Sequence, residues 1–423
     1  MFKYCHLYLV LILLLLQGSM TIAQEIPNNT TGMSSGEDIE IKLVTIGPGD
    51  DLTSWWGHTA VIVENRRLNV SQFYNYGLFS FESDNFFMNF MMGRLIFWVG
   101  AWNTSNALAY YVSLNREIRI QVLNLSPEKR ILVSSYLANN ILPSNREYLY
   151  DHYRDNCSTR VRDLIDHVLD GQFYHKMQSP SNMTFREHTR RHTHRNFIVD
   201  WLLMFLMNNS IDQSIRQWDD MFLPEELERY VAAFSYTDED KNIHSLVQKT
   251  YTYYNAKNRK PLPQGVPVHW PRGLIIGILS GLFAILFSIG YRRGIKYSQQ
   301  IFGIYHVIIG FVYGIPGLIL FFMSFFTDHH VTFKNENLFL TNPLTILLIP
   351  LGIGLFLGKS ISLKWLPKLW YILGGLNILL IILKIFPFFN QFNWLSISLI
   401  APLFIAMSIS WHILKMSAFD AKK

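Results

Sequence analysis

The residues of this chain best suited to chemistry are one cysteine and one histidine. Cys157 stands in DHYRDNCSTRVRDLIDHVL, Asp151 to Leu169. From Thr159 onward Val161, Leu164, Ile165, Val168 and Leu169 fall at helical spacing, with Gly171 as a stop. That pattern puts Cys157 at a helix N-terminus, where backbone N–H groups and the macrodipole favour a thiolate, the form that attacks carbonyls. Asn156 and Ser158 are capping residues, and Arg154 and Arg160 add positive potential. His58 opens the run HTAVIVEN, which reads as a buried strand with a histidine at its end. A cysteine and a histidine are the minimal parts of a nucleophile and its base.

The elements that must position this pair lie in the first part of the chain. Ile39 to Ile46 alternates as a strand, and Gly47-Pro48-Gly49-Asp50 turns it back toward His58. Further strands are expected over Ser71 to Phe81 and Glu117 to Leu125, and Ser126-Pro127 opens a helix. Between them, NFFMNFMMGRLIFWVGAWN is apolar but interrupted by Asn89, Gly93 and Arg94, too short to span a bilayer. It reads as core helix and strand, or as an acyl-chain groove. Pro224 opens a last short helix in MFLPEELERYVAAF.

The 423 residues carry a net charge of +6, and charged residues make up 16%. Charge is concentrated before Arg272 and long apolar runs follow it, so a water-soluble domain precedes a membrane domain. No basic stripe with interleaved aromatics points to nucleic acid. Residues 1–23 have the charged flank, apolar core and small-residue site of a secretory signal. Cys5 leaves with that signal, and an unpaired Cys157 in an oxidising compartment favours a chemical use for it. The expected organisation is a signal over 1–23, a periplasmic catalytic domain over 24–235 and a linker over 236–271. A transmembrane domain over 272–416 and a cytoplasmic tail over 417–423 complete it.

Five spans are expected at 273–291, 302–326, 343–358, 367–386 and 393–414. Arg292, Arg293 and Lys296 occupy one inside loop and Lys359, Lys364 and Lys368 the next, with Lys415, Lys422 and Lys423 in the tail. The outside loop TDHHVTFKNENLFLTN has only Lys334, and PFFNQFN has no charge. The positive-inside rule therefore places the soluble domain outside. In FREHTRRHTHR, Phe185 to Arg195, only His188 and His192 share a helical face, and four arginines repel a dication. That segment reads as a solvated basic face, or one that meets anionic headgroups. No metal site is expected.

The order of strand-borne histidine, then helix-borne cysteine, resembles circularly permuted papain-like thiol enzymes of the NlpC and lecithin:retinol acyltransferase groups. More specifically, WWGHTAVIVEN, FYNYGLFSF, DNCSTRVRDLIDHVLDGQF, FLPEEL and the multi-span tail with NENLFLTNPL resemble the Lnb-type bacterial lipoprotein N-acyltransferases. This resemblance implies an α+β fold, with a permuted papain-like periplasmic domain followed by an all-α bundle of about five transmembrane helices. It implies Cys157 as nucleophile and His58 as base, while no motif marks a third, orienting residue. Tyr76, Asn156 and Arg160, and His329, His330 and Asn337 in the external loop, are the expected substrate-binding residues. By the same resemblance the acceptor is the N-terminal diacylglyceryl-cysteine of an exported lipoprotein.

Chemistry alone leads to a compatible scheme. Outside the inner membrane no acyl-CoA or ATP is at hand, so an acyl donor must already be an activated ester, and membrane phospholipid is the abundant one. Thiolate attack gives a thioester, and backbone N–H groups around Cys157 stabilise the oxyanion. An acceptor amine with a pKa near ~8 then loses its proton to His58. The scheme needs no cofactor. Two alternatives are a cysteine peptidase or amidase acting on cell-wall peptides, and a non-enzymatic membrane sensor.

Overall fold

The computed structural model describes residues 35–79 and 85–420. The expected signal, and the end of the expected Ser71 to Phe81 strand, lie outside the described residues. The chain forms two compact units. One comprises the chain up to Phe90, Arg94–Phe185 and Ser214–Leu262; the other comprises Met91–Gly93, Arg186–Gln213 and everything from Pro263 onward.

The first unit is an α+β structure around an antiparallel sheet. Its strands are β1 (Ile39–Ile46), β2 (His58–Asn65), β3 (Val70–Leu78), β4 (Ile96–Asn103), β5 (Ile118–Leu123) and β6 (Glu147–Leu149). Two later pieces, β7 (Ser235–Thr237) and β8 (Ile243–Ser245), pair with each other, and β9 (Val247–Tyr254) joins the main sheet. The seven-stranded order is β6-β4-β3-β2-β1-β5-β9. β1 shows why the sheet is covered on both sides. Ile39, Ile41 and Leu43 enter one core with the helices Pro127–Asn140, Cys157–Val168 and Pro224–Ala233. Val44 and Ile46 enter the opposite core with the helix Thr104–Ser113.

The helix signals act where expected. Ser126 Oγ accepts the Lys129 N–H with Pro127 in the first turn, and Gly171 follows the nucleophile helix at φ 81°. The supposed linker differs from expectation. VQKTYTYY is rich in β-branched and aromatic residues and lies as edge strand β9 along β5. Its exposed lysine suits an edge that must not pair further.

In the second unit, among the described residues, five helices are long and apolar enough to cross a membrane. They are Trp270–Arg292, Ser298–Phe326, Glu336–Phe356, Ser360–Leu383 and Trp394–Leu414. Gly273, Gly277 and Gly281 recur every fourth residue on the first and face the fifth. A β-carbon on Gly277 would stand 2.5 Å from the Ser398 carbonyl oxygen, so only glycine permits this approach. One turn of π-helix, Gly310–Gly314, interrupts the second span, and Thr341 Oγ1 donates to the Tyr313 carbonyl there at 2.6 Å.

This unit also contains the helices Phe185–Thr193, of which Phe185 belongs to the first unit, and Phe197–Leu206. The basic segment is not a solvated face. Arg186 is 1% exposed, pairs with Asp212, and donates to the carbonyls of Met204, Met207 and Asn208. A guanidinium has five donors, enough to close the carbonyl end of a helix that has no partners of its own.

Candidate active site

Cys157 is the first residue of its helix, and Asn156 is the cap. Asn156 Oδ1 accepts from the N–H groups of Ser158 and Thr159 at 2.8 and 3.0 Å, and the Asn156 N–H donates back to Thr159 Oγ1 at 2.8 Å. Its Nδ2 donates to the carbonyls of His152 and Phe222 at 2.7 and 3.0 Å. Both amide ends are thus committed to backbone. Asn156, one of the expected substrate-binding residues, builds the turn that presents Cys157.

The thiol is approached from β2. The Thr59 N–H reaches the Cys157 sulfur, so His58, the residue before it, stands at the same strand entrance. His58 Nε2 lies 2.6 Å from Asn75 Oδ1, and Asn75 Nδ2 donates to the Tyr111 hydroxyl at 3.4 Å. The second contact orients the amide, which assigns the imidazole proton to Nε2 and leaves Nδ1 as an acceptor. The imidazole also stacks on Tyr111, with centroids 6.0 Å apart. Asn75 is 3% exposed and is the orienting residue that sequence reasoning missed. The signal was present in FYNYG, but the β2–β3 register, which pairs Ala60 with Asn75, was needed to place it beside His58.

The next residues of that strand shape the floor. Gly77 has φ 92° and sits where the β3–β4 register shifts, a bulge whose left-handed conformation favours glycine. A β-carbon there would lie 3.9 Å from both Cys157 Cβ and Tyr148 Oη. That hydroxyl is buried and has no hydrogen-bond partner. Burial raises its pKa well above the usual tyrosine value, so it stays a donor. Tyr76, by contrast, is 2% exposed in the core, where its ring meets that of Tyr148. Arg160 pairs with Asp155 through Nε and Nη2 at 2.5 and 2.7 Å and lies over the Tyr148 ring, Cζ 4.3 Å from its centroid. It braces Tyr148 rather than facing a ligand.

The electrostatics differ from the sequence-based expectation of a depressed thiol pKa. Burial is the largest influence on Cys157 and pushes its pKa up. The N–H groups of Thr59, Ser158 and Cys157, with Arg116, act in the opposite direction but do not overcome it. Burial, with Arg116 adding to it, lowers His58 to about 4 against the Asn75 hydrogen bond. The resting site therefore holds a neutral thiol and a neutral imidazole. Arg116, not Arg154 or Arg160, is the cation that both groups feel.

A cleft of about 200 Å³ opens at His58, with Asn75, Gly77, Trp102, Tyr111 and Arg116 also in its walls. At the near edge of the sheet, Ile96 of β4 pairs with Leu149 of β6, and both side chains are about half exposed.

The residues expected in the external loop belong to the second unit. Asn337 is fully buried, donates to the Phe205 carbonyl at 2.8 Å and accepts from Asn393 Nδ2 at 2.9 Å. Asn335 Nδ2 reaches the carbonyls of Phe205 and Leu206, and Gln391 Nε2 that of Met207. The Glu336 carboxylate takes the Lys384 ammonium and the Gln391 N–H. The NEN motif thus closes the carbonyl end of the helix Phe197–Leu206, and both ends of the Asn337 amide are engaged there. His329 and His330 flank this knot, and the His330 carbonyl accepts from Asn208 Nδ2 at 3.1 Å.

Two family models match the chain in order. That of the Lnb N-terminal periplasmic domain covers residues 27–191, and that of the Lnb transmembrane domain covers residues 271–418. No curated protein and no solved structure matches.

Proposed function

We propose a reaction from one premise: the chain belongs to the Lnb family, a multi-pass inner-membrane protein with its N-terminal domain in the periplasm. The Lnb domains suggest a lipoprotein-processing enzyme of the membrane. The reading we advance is thiol-dependent N-acyl transfer from a phospholipid to the N-terminal amine of a diacylated lipoprotein. The observation that supports it is that the Thr59 N–H meets the Cys157 sulfur while His58, the residue before Thr59, is held by Asn75 through Nε2, which leaves Nδ1 as an acceptor.

In this scheme Nδ1 takes the Cys157 proton as the sulfur attacks the donor ester carbonyl. The oxyanion is met by the Cys157 N–H and by the Tyr148 hydroxyl, which is buried without a hydrogen-bond partner. Collapse breaks the ester C–O bond, and the imidazolium returns its proton to the departing lysophospholipid alkoxide. A thioester remains. The acceptor amine attacks it, loses a proton to His58, and expels the sulfur, which is reprotonated by the same imidazolium. Because the resting pair is neutral, the proton moves only as a carbonyl arrives. The exposed Ile96 and Leu149 offer apolar surface to an acyl chain.

The test is direct. Protein incubated with phospholipid alone is expected to gain the mass of one fatty acyl group, lost on adding a diacylated peptide amine. Release of free fatty acid with no peptide product would replace transfer by hydrolysis.

A further inference from the structure

One cation in the cleft is left uncompensated by the protein. Arg116 joins the helix Thr104–Ser113 to β5 and is 6% exposed. Its Nε donates to the Gly47 carbonyl at 2.8 Å, and its Cζ lies 5.3 Å from the centroid of the Tyr111 ring. Nη2 is buried without an acceptor. Among the described residues no carboxylate pairs with it. Of the two acids in the cleft wall, Asp50 is held by Arg259 through two contacts of 2.8 and 2.9 Å, and Asp51 is exposed at the rim.

A dry guanidinium with an open N–H is costly, and its fork geometry fits the oxygens of a phosphate or carboxylate. Arg116 lines the same cleft as His58, and its charge acts on Cys157. An anion held there would sit close to the reacting carbonyl. In a glycerophospholipid the phosphodiester is separated from the acyl esters only by the glycerol carbons, so one molecule supplies both groups.

We infer that Arg116 binds the phosphodiester of the acyl donor and thereby sets the enzyme's preference for phosphate-bearing lipids. The inference rests on the acyl-transfer reading above. It makes Arg116 a binding residue with selectivity, unlike a residue that only tunes the sulfur.

The experiment measures thioester formation on Cys157 by intact mass, using the full-length protein in detergent micelles. Two donors carry the same acyl chain: a glycerophospholipid and a 4-nitrophenyl ester, which has no phosphate. Arg116→Gln is expected to slow acylation by the phospholipid roughly 10- to 100-fold, the loss of a charge-assisted hydrogen bond. Acylation by the nitrophenyl ester is expected to fall less, since that donor loses only the effect of the Arg116 charge on Cys157 and His58, and the ratio of the two rates carries the test. Arg116→Lys, which keeps the charge but not the fork, is expected to fall between. It reads the same ratio should loss of the Gly47 bond unfold the glutamine variant. An excess of glycerophosphoglycerol is expected to slow the phospholipid reaction of the unsubstituted protein more than equal inorganic phosphate does, which separates a headgroup site from a site for free anions. Equal losses on both donors, or no loss on the phospholipid, overturn the inference. If the unsubstituted protein forms no thioester from either donor, it is the acyl-transfer reading that fails.

Discussion

In the second unit Asn335, Asn337 and Gln391 commit their amides to carbonyls at the end of the helix Phe197–Leu206. In the first unit Arg116 and Tyr148 keep buried donors open beside Cys157. The two regions bury polar side chains to similar depth. The difference lies in where the hydrogen bonds end. Polar groups closed on backbone hold a fold together; polar groups left open next to a nucleophile wait for something that is not protein. Burial alone does not separate the two.

That contrast is open to breakage, and the nucleophile gives the largest expected effect. Cys157→Ala is expected to lower transfer by at least about 10³-fold while thermal unfolding in detergent stays within about 1 kcal/mol. Substantial transfer by that variant would remove the covalent scheme. His58→Ala follows at roughly 10²- to 10⁴-fold. Combined with Cys157→Ala it is expected to add little, because base and nucleophile act as one unit. A further large loss in the double variant would mean that they do not.

Asn75→Ala is expected to cost roughly 10- to 100-fold, since the hydrogen bond and the tautomer it fixes are lost together. Transfer rates against pH check this, and an unchanged rate would return Asn75 to plain packing. His58 has a pKa near ~6.5 in an unfolded chain and about 4 in the fold. Between those values the unfolded state binds the extra proton, so stability rises with pH across that window. Going down from neutrality to about pH 4, the loss is expected to reach at most about 3 kcal/mol. A denaturant titration of His58→Gln that keeps the same slope would assign it to other groups.

The smallest effect sharpens the comparison from the other side. Asn337→Ala is expected to destabilise by about 1–3 kcal/mol, with thioester formation per folded molecule unchanged within about twofold. Lost transfer without lost stability would restore the substrate role that the motif suggested.

Much of the site is visible in the sequence because helix and strand ends leave local marks. Cys157 follows a capping asparagine and precedes an amphipathic run, and His58 opens a β-branched strand. Asn75 and Arg116 leave no such mark. A polar residue inside FYNYG fits the ordinary alternation of a strand, and Arg116 in LNREI resembles a solvated turn. Only strand register and the closing of Gly47 onto Arg116 bring them to the cleft. The thiol's raised pKa was illegible for a similar reason: the N-terminal helix position is local, whereas the burial that outweighs it comes from distant segments. In the membrane unit the spans were legible from composition alone. The fate of Arg186 was not, because its carbonyl partners belong to another helix.

The closed end of the helix Phe197–Leu206 has a meaning in time as well as in energy. Gln391, which closes the Met207 carbonyl, is 184 residues further along the chain, and Asn335 is 129 beyond Leu206. At ~5–20 residues per second of synthesis, the later partner emerges roughly 10–40 s after the carbonyl it serves. A nascent chain therefore carries that helix with an unfinished end until its last span begins to appear. Completion of the protein is registered at one helix terminus, which closes only when translation has passed the segment that closes it.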